Sequence, residues 1–207
     1  VEAVLGHPLS IAGVPLHGST DTAILRDAFR HAGIADATWQ PLQEEILQRM
    51  REIVLERRAD MSVTVMPGVL AMLDYLRDRG KVLGVATGNL EQIGWLKIEI
   101  AGLRHYFQFG GFSDRHAVRA EMIGNALEAG RHLFRANATV CVVGDTPLDI
   151  AAARANGLPT IAVATGGSSY EDLLQHHPEV CTSTLATLLA TLRPKPEMPR
   201  PGNLPAR

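Results

Sequence analysis

Two short segments place chemistry-bearing residues at fixed spacing. In Gly144-Asp145-Thr146-Pro147-Leu148-Asp149, two aspartates lie four residues apart. Asp145 follows the apolar run Thr139-Val140-Cys141-Val142-Val143, where a carboxylate is costly unless it is paired or binds a cation. Asp149 falls at the start of the next helix and can point back toward the same spot. Two carboxylates placed so suit a hard divalent cation, Mg²⁺ above all. The same spacing also fits a turn cap at Asp145 and a helix N-terminal support at Asp149, and spacing does not separate the two. In the second segment, Thr87-Gly88-Asn89 ends another apolar run and opens a helix. A hydroxyl beside free amides at a helix N-terminus binds anions, and Gly88 lets the backbone come close. A plain N-cap at Thr87 or Asn89 explains these residues more simply.

The elements that must hold these segments follow from hydrophobic periodicity. Residues 18–58 read as two amphipathic helices. Ser19 or Thr20 caps the first, with Asp21 in its first turn, where the helix dipole favours a carboxylate. Ile24, Leu25, Ala28 and Ala32 recur at helical spacing, and Gly33 stops the helix. Pro41 fits the start of the second, whose stripe is Leu42, Ile46, Met50 and Val54. From residue 67 the pattern alternates: helix 67–79, strand 81–87, helix 90–101, a weaker strand at 107–109, helix 117–134, strand 139–143, helix 148–156, strand 159–164, a helix near Tyr170 and a last one over 183–192. Strands that are apolar throughout and alternate with helices predict a parallel sheet covered on both faces, an α/β architecture. Ligands bind such sheets at the C-terminal ends of the strands, where the two polar segments lie. The expected division is a helical part over 1–62, an α/β core over 63–193 and a solvated tail over 194–207, which holds five of the twelve prolines.

Composition excludes several classes. A chain of 207 residues that is 46% hydrophobic and 20% charged can bury a real core. Its formal net charge of −2 argues against a nucleic-acid binder driven by phosphate neutralisation. Two cysteines, Cys141 and Cys181, cannot build a disulfide framework or a four-thiolate zinc site; Cys141 is expected in the core. Trp39 and Trp95 read as packing anchors, His176-His177 as a solvated helix end, and His116 as a surface loop residue. No apolar run reaches membrane-spanning length, and the first residues lack a signal-peptide pattern, so the expected setting is soluble and cytoplasmic. The G-x-S-x-G elbow, the P-loop and the dinucleotide-binding G-x-G-x-x-G after a strand are all absent.

Together, VLGVATGN, VCVVGDTPLDIAAARANG and the glycine-rich TIAVATGG resemble the haloacid dehalogenase (HAD) superfamily of phosphatases. The likeness is to the subgroup with an inserted helical cap that includes phosphoglycolate phosphatase, and it covers residues 18–192. Gly18-Ser19-Thr20-Asp21 sits where that subgroup often has Gly-x-Thr-Asp. The resemblance implies a Rossmann-like core, a Mg²⁺ cofactor and a small phosphorylated metabolite as substrate, with no nucleic-acid or membrane partner. It implies that Thr87, with the backbone of Gly88 and Asn89, holds the transferred phosphoryl group. Asp145 is the implied Mg²⁺ ligand, and Asp149 the second acid, supporting the metal or a neighbouring cation. That cation is normally a lysine. The three lysines here, Lys81, Lys97 and Lys195, all fall elsewhere, so Arg119 takes the role, with Arg115 the second candidate. Arginine keeps the charge and adds bidentate geometry.

One departure is larger. HAD phosphatases attack phosphate with an aspartate of a D-x-D-x-T sequence at the end of a central first strand. The ten aspartates of this chain include no D-x-D pair. The expectation is that these residues are the downstream part of a longer HAD phosphatase, with that strand before Val1, and that they do not themselves turn over phosphate esters. The alternatives are a non-catalytic HAD-like binding or regulatory protein, whose sheet another segment fills, or another HAD reaction such as sugar-phosphate mutation or phosphonate cleavage.

Overall fold

The computed structural model describes residues 2–6, 8–135 and 137–193, without the side chain of Ala3. The proline-rich segment expected as a solvated tail lies outside the described residues. A short helix α1 (Glu2–Leu5) precedes the helical part, α2 (Asp21–His31), α3 (Asp36–Trp39) and α4 (Gln43–Glu56). The remaining elements alternate: α5 (Val69–Arg77), β1 (Gly84–Ala86), α6 (Glu91–Ile100), β2 (Phe109–Gly111), α7 (Arg119–Gly130), β3 (Val142–Gly144), α8 (Pro147–Ala155), β4 (Thr160–Val163), α9 (Tyr170–Gln175), β5 (Val180–Thr182) and α10 (Leu185–Leu192).

All strand pairs are parallel, as continuous apolar runs between helices require. β1 pairs with β2, and β3–β4–β5 form a second sheet in that order. Among the described residues no strand pairs with the outer edge of β1 or of β3. The strands are shorter than their apolar runs, and two expectations change with that. Cys141 precedes β3 and is exposed rather than buried, and Val143 within β3 is 50% exposed. Helices pack on the strands and on one another: Met122 and Ile123 of α7 pack on Ala152 of α8, and Ile150 of α8 packs with Ala162 of β4 and Leu173 of α9.

The helical part is built as its periodicity predicts. Thr20 caps α2 by accepting from the Ala23 amide at 3.1 Å, and Gly33 ends the helix region at φ +70°. Phe29 and Trp39 stack at 5.1 Å between centroids, and both are buried. They share one cluster with Leu25, Ile46 and Leu47, and also with Leu90 and Ile93 at the start of α6. The cap helices therefore bury their apolar stripe against the helix that follows Thr87-Gly88-Asn89. Trp95, by contrast, is half-buried between Phe112 and the Arg104 guanidinium.

Asp21 fastens the two parts further. Its amide donates to the Gly88 carbonyl at 2.7 Å, and its carboxylate accepts from the Leu90 amide at 2.9 Å and from Asn89 Nδ2 at 3.3 Å. The carboxylate expected to serve the start of its own helix thus caps the start of α6. Burial pushes the Asp21 carboxyl above its ordinary value of 3.8, against the lowering effect of these hydrogen bonds and of Lys97.

Two outcomes follow for stability. Phe29→Ala empties a fully buried ring site and is expected to cost about 3–5 kcal/mol in chemical denaturation. Because the folded state holds the Asp21 proton more tightly than the unfolded state, Asp21 contributes most at low pH. That contribution declines as pH rises from 3.8 through the raised folded value. Unfolding free energies of wild type and Asp21→Asn across pH 4–7 are expected to show wild type losing ground relative to the variant as pH rises; the opposite slope would show that the hydrogen bonds outweigh the burial.

Candidate active site

The C-terminal ends of β1, β2, β3 and β4 carry the polar residues. Asp149 is the most constrained of them. It stands at the third position of α8, 5% exposed. Its Oδ2 accepts from the amides of Asp145 and Thr146 at 3.2 and 3.1 Å and from Thr146 Oγ1 at 2.8 Å. Its Oδ1 accepts from Arg119 Nε at 2.7 Å, and Arg119 Nη2 stands in ion-pair contact with it at 2.7 Å. Thr146 Oγ1 accepts in return from the Asp149 amide at 3.2 Å, which completes a capping box. Gly144 is required here, because a Cβ at that position would overlap the Asp149 carboxyl.

Both Asp149 oxygens are thus spent on protein donors. Of the two roles the sequence left open for this residue, the geometry displays support of the Arg119 cation. Arg119 opens α7 and donates a second hydrogen bond, from Nη1, to the Gly18 carbonyl at 3.0 Å. Arg115 is exposed, with no ion pair among the described residues. Asp145 differs from Asp149. Its side chain has no hydrogen bond among the described residues, and it lies against Gly166, where a Cβ would overlap its Oδ2. His17 stands similarly against Gly167, so the Thr165-Gly166-Gly167 turn after β4 brings backbone close to both. Among the described residues no group of three His, Cys, Asp or Glu gathers as a metal cluster. Mg²⁺, however, commonly keeps several waters and takes one or two carboxylates plus substrate phosphate, and the free Asp145 carboxylate fits that mode.

The turn after β1 is tied on nearly every backbone group. Thr87 Oγ1 accepts from the Asn89 amide at 3.3 Å, and the Asn89 carbonyl accepts from the Ser113 amide at 3.0 Å. The Glu91 amide donates to Asp114 Oδ2 at 2.7 Å. The first amides of α6, read from sequence as an anion site, therefore serve Asp21 and Asp114. The Thr87 hydroxyl proton and the Gly88 amide remain without an acceptor among the described residues. The Asn89 side chain turns away from the strand ends, with Nδ2 on Asp21 and Oδ1 accepting from Lys97 Nζ at 2.8 Å. Gly88 is held so close to the Gly18–Asp21 segment that a Cβ there would come 2.6 Å from the Ser19 carbonyl oxygen.

Sequence reasoning missed Lys97, Asp114, Arg51 and His17. Lys97 lies two helical turns beyond Asn89, and helical side chains lean toward the N-terminus, which is the signal that could have found it. His116 lies at the edge through its backbone, its carbonyl accepting from Thr22 Oγ1 at 3.0 Å, while its ring meets Glu121 and Asn125. The Thr20 hydroxyl donates to the neighbouring Ala117 carbonyl at 3.0 Å. No described helix is long and apolar enough to cross a membrane.

The chain is similar in sequence and fold to known proteins. Over 206 aligned residues the chain is 28% identical to a phosphoglycolate phosphatase of Agrobacterium fabrum, spanning 91% of this chain and 83% of that one. It is 29% identical to a phosphoglycolate phosphatase of Caulobacter vibrioides, with 70% of this chain covered and only 60% of the relative. Its fold matches that of a haloacid dehalogenase-like family hydrolase from Streptococcus pneumoniae with a TM-score of 0.57, at 20% identity over 88% of this chain and 85% of the other. The haloacid dehalogenase-like hydrolase family matches residues 22–163, from the first turn of α2 to the end of β4. The chain belongs to the haloacid dehalogenase-like hydrolase family.

Proposed function

We propose that these residues form the phosphoryl- and Mg²⁺-binding part of a phosphatase that acts on a small phosphorylated metabolite. The observation that carries this reading is the Asp145 carboxylate: it stands free at the end of β3 while the aspartate four residues on is fully paired. Thr87 Oγ1 and the Gly88 amide offer unspent donors to phosphoryl oxygens. Arg119 uses two of its five N–H groups in hydrogen bonds to Asp149 and Gly18, and those left supply charge-assisted donors. Asp145 would hold Mg²⁺, and Asp149 keeps Arg119 and the Asp145 backbone in place. When bound, Mg²⁺ offsets negative charge on the phosphoryl group. The helical cap beside the Thr87 turn excludes water and selects the substrate. The phosphoglycolate phosphatases among the relatives support the reaction class.

Nucleophilic phosphoryl transfer of the HAD type also takes the aspartate of a D-x-D sequence, which the 207 residues do not contain. That absence favours a second reading for these residues by themselves, a phosphate-binding protein without turnover. The proposed setting is cytoplasmic.

Calorimetric titration with inorganic phosphate in the presence of Mg²⁺ tests the site. Asp145→Asn is expected to weaken the Mg²⁺-dependent part of binding by about tenfold or more; equal binding by wild type and variant would remove Asp145 from the site. With a phosphomonoester and Mg²⁺, the 207 residues alone are expected to release no phosphate above background, and Mg²⁺-dependent release would overturn the view that they lack the nucleophile.

A further inference from the structure

The N-terminus of α6 carries two carboxylates, and each has its own cation. Asp21 and Asp114 accept from successive amides, Leu90 and Glu91, at 2.9 and 2.7 Å. Lys97 balances Asp21 through Asn89. Arg51 balances Asp114 directly, with Nη2 to Oδ1 at 2.9 Å. Arg51 belongs to α4, in the cap, and its side chain is 13% exposed. Its other end nitrogen, Nη1, bonds Glu44 at 3.0 Å and Gln48 at 3.3 Å, so its position follows that of α4. Ile46 and Leu47 of the same helix pack with Leu90 and Ile93 of α6.

This arrangement raises an electrostatic problem. A helix N-terminus attracts anions, but two carboxylates on its first amides repel a third anion brought to the adjacent Thr87-Gly88 donors. They also repel each other, and Asp114 is one of the groups that push the Asp21 carboxyl upward. Local neutralisation removes the repulsion while leaving both carboxylates as caps. The Ser113 amide bond to the Asn89 carbonyl places Asp114 next to that turn, so the orientation of Asp114 is transmitted to the turn itself.

We propose that Arg51 is a positioning residue for the phosphoryl-binding turn: it orients and neutralises Asp114, which caps the helix that follows the turn. Cap helix α4 thereby controls the charge and geometry of a site to which it contributes no direct ligand. The inference rests on the reading of Thr87-Gly88 as a phosphoryl site. It assigns Arg51 to the core's binding turn rather than to the cap's own stability.

The test uses the 207-residue chain with inorganic phosphate and Mg²⁺ as the probe. Four proteins are compared with wild type: Arg51→Gln, Arg51→Lys, the double variant Arg51→Gln/Asp114→Asn, and Arg49→Gln. Among the described residues Arg49 pairs only with Glu52 and Glu56 of its own helix, and it serves as the control. Arg51→Gln is expected to weaken phosphate binding by about three- to tenfold and to speed hydrogen exchange at the Glu91 amide. Arg51→Lys should recover part of the affinity, because it restores the charge. The double variant should recover most of it, because it removes the unbalanced carboxylate and keeps an oxygen to cap Glu91. Arg49→Gln should change neither readout. Equal behaviour of Arg51→Gln and Arg49→Gln, or failure of the double variant to recover affinity, overturns the proposal. If wild type binds no phosphate, the phosphoryl-site reading fails; Glu91 exchange then decides for Arg51, faster exchange in Arg51→Gln upholding its hold on the turn and unchanged exchange overturning it.

Discussion

Burying a carboxylate is costly unless donors surround it, and Asp149 has four. They come from Arg119 Nε, the amides of Asp145 and Thr146, and the Thr146 hydroxyl, with Arg119 Nη2 in ion-pair contact beside them. Satisfying this charge fixes α7 against α8, because Arg119 opens one helix and Asp149 stands in the first turn of the other. It fixes the exit of β3, whose next two amides point inward to the carboxylate. It reaches the cap as well, since the other Arg119 hydrogen bond goes to the Gly18 carbonyl. Removing one partner of such a pair strands the other charge, at a cost of about 3–5 kcal/mol. With its backbone drawn inward, Asp145 is left with a carboxylate that no donor among the described residues claims.

The start of α6 poses the converse demand, amides in need of acceptors, and the acceptors come from outside the helix. Asp21 arrives from the base of the cap and Asp114 from the end of β2. The same few residues of α6 contribute Leu90 and Ile93 to the apolar cluster of the cap helices. Polar and apolar contacts therefore converge on one helix end, and that end follows the Thr87-Gly88-Asn89 turn directly. The cap is fastened to the Thr87-Gly88-Asn89 turn, and at its base Gly18 lies so close to the start of α8 that a Cβ there would come 3.0–3.3 Å from Thr146 and Leu148.

Much of this was legible from residues alone. The apolar runs located four strands, and the 3.6-residue stripe located the cap helices, because periodic burial is a local property of sequence. The strand read at 107–109 forms at Phe109–Gly111 because Phe107 packs instead with Leu73, Leu103 and Tyr106. β5, Val180–Thr182, is too short for a periodicity to show. At the site, Asp145, Asp149, Thr87 and Arg119 all come to the strand ends. What sequence did not reveal is which polar group takes which partner. Asp21 reads locally as a residue of its own helix and serves another. Lys97 reads as a mid-helix surface residue and bonds Asn89. Arg51 sits on a helix face whose neighbour only the tertiary packing of α4 on α6 decides.

Among the described residues the outer edges of β1 and β3 are unpaired, which bears on how they would meet another chain. An exposed strand edge is a template on which other chains pair, and long flat edges lead to aggregation. Each of these edges is only three residues long, and Gly84 and Ala86 give β1 almost no apolar surface for a foreign strand to grip. Val143 is the one large apolar side chain on them that stands half in solvent. Three residues of edge offer a passing chain few hydrogen-bonding groups to repay the entropy of being held.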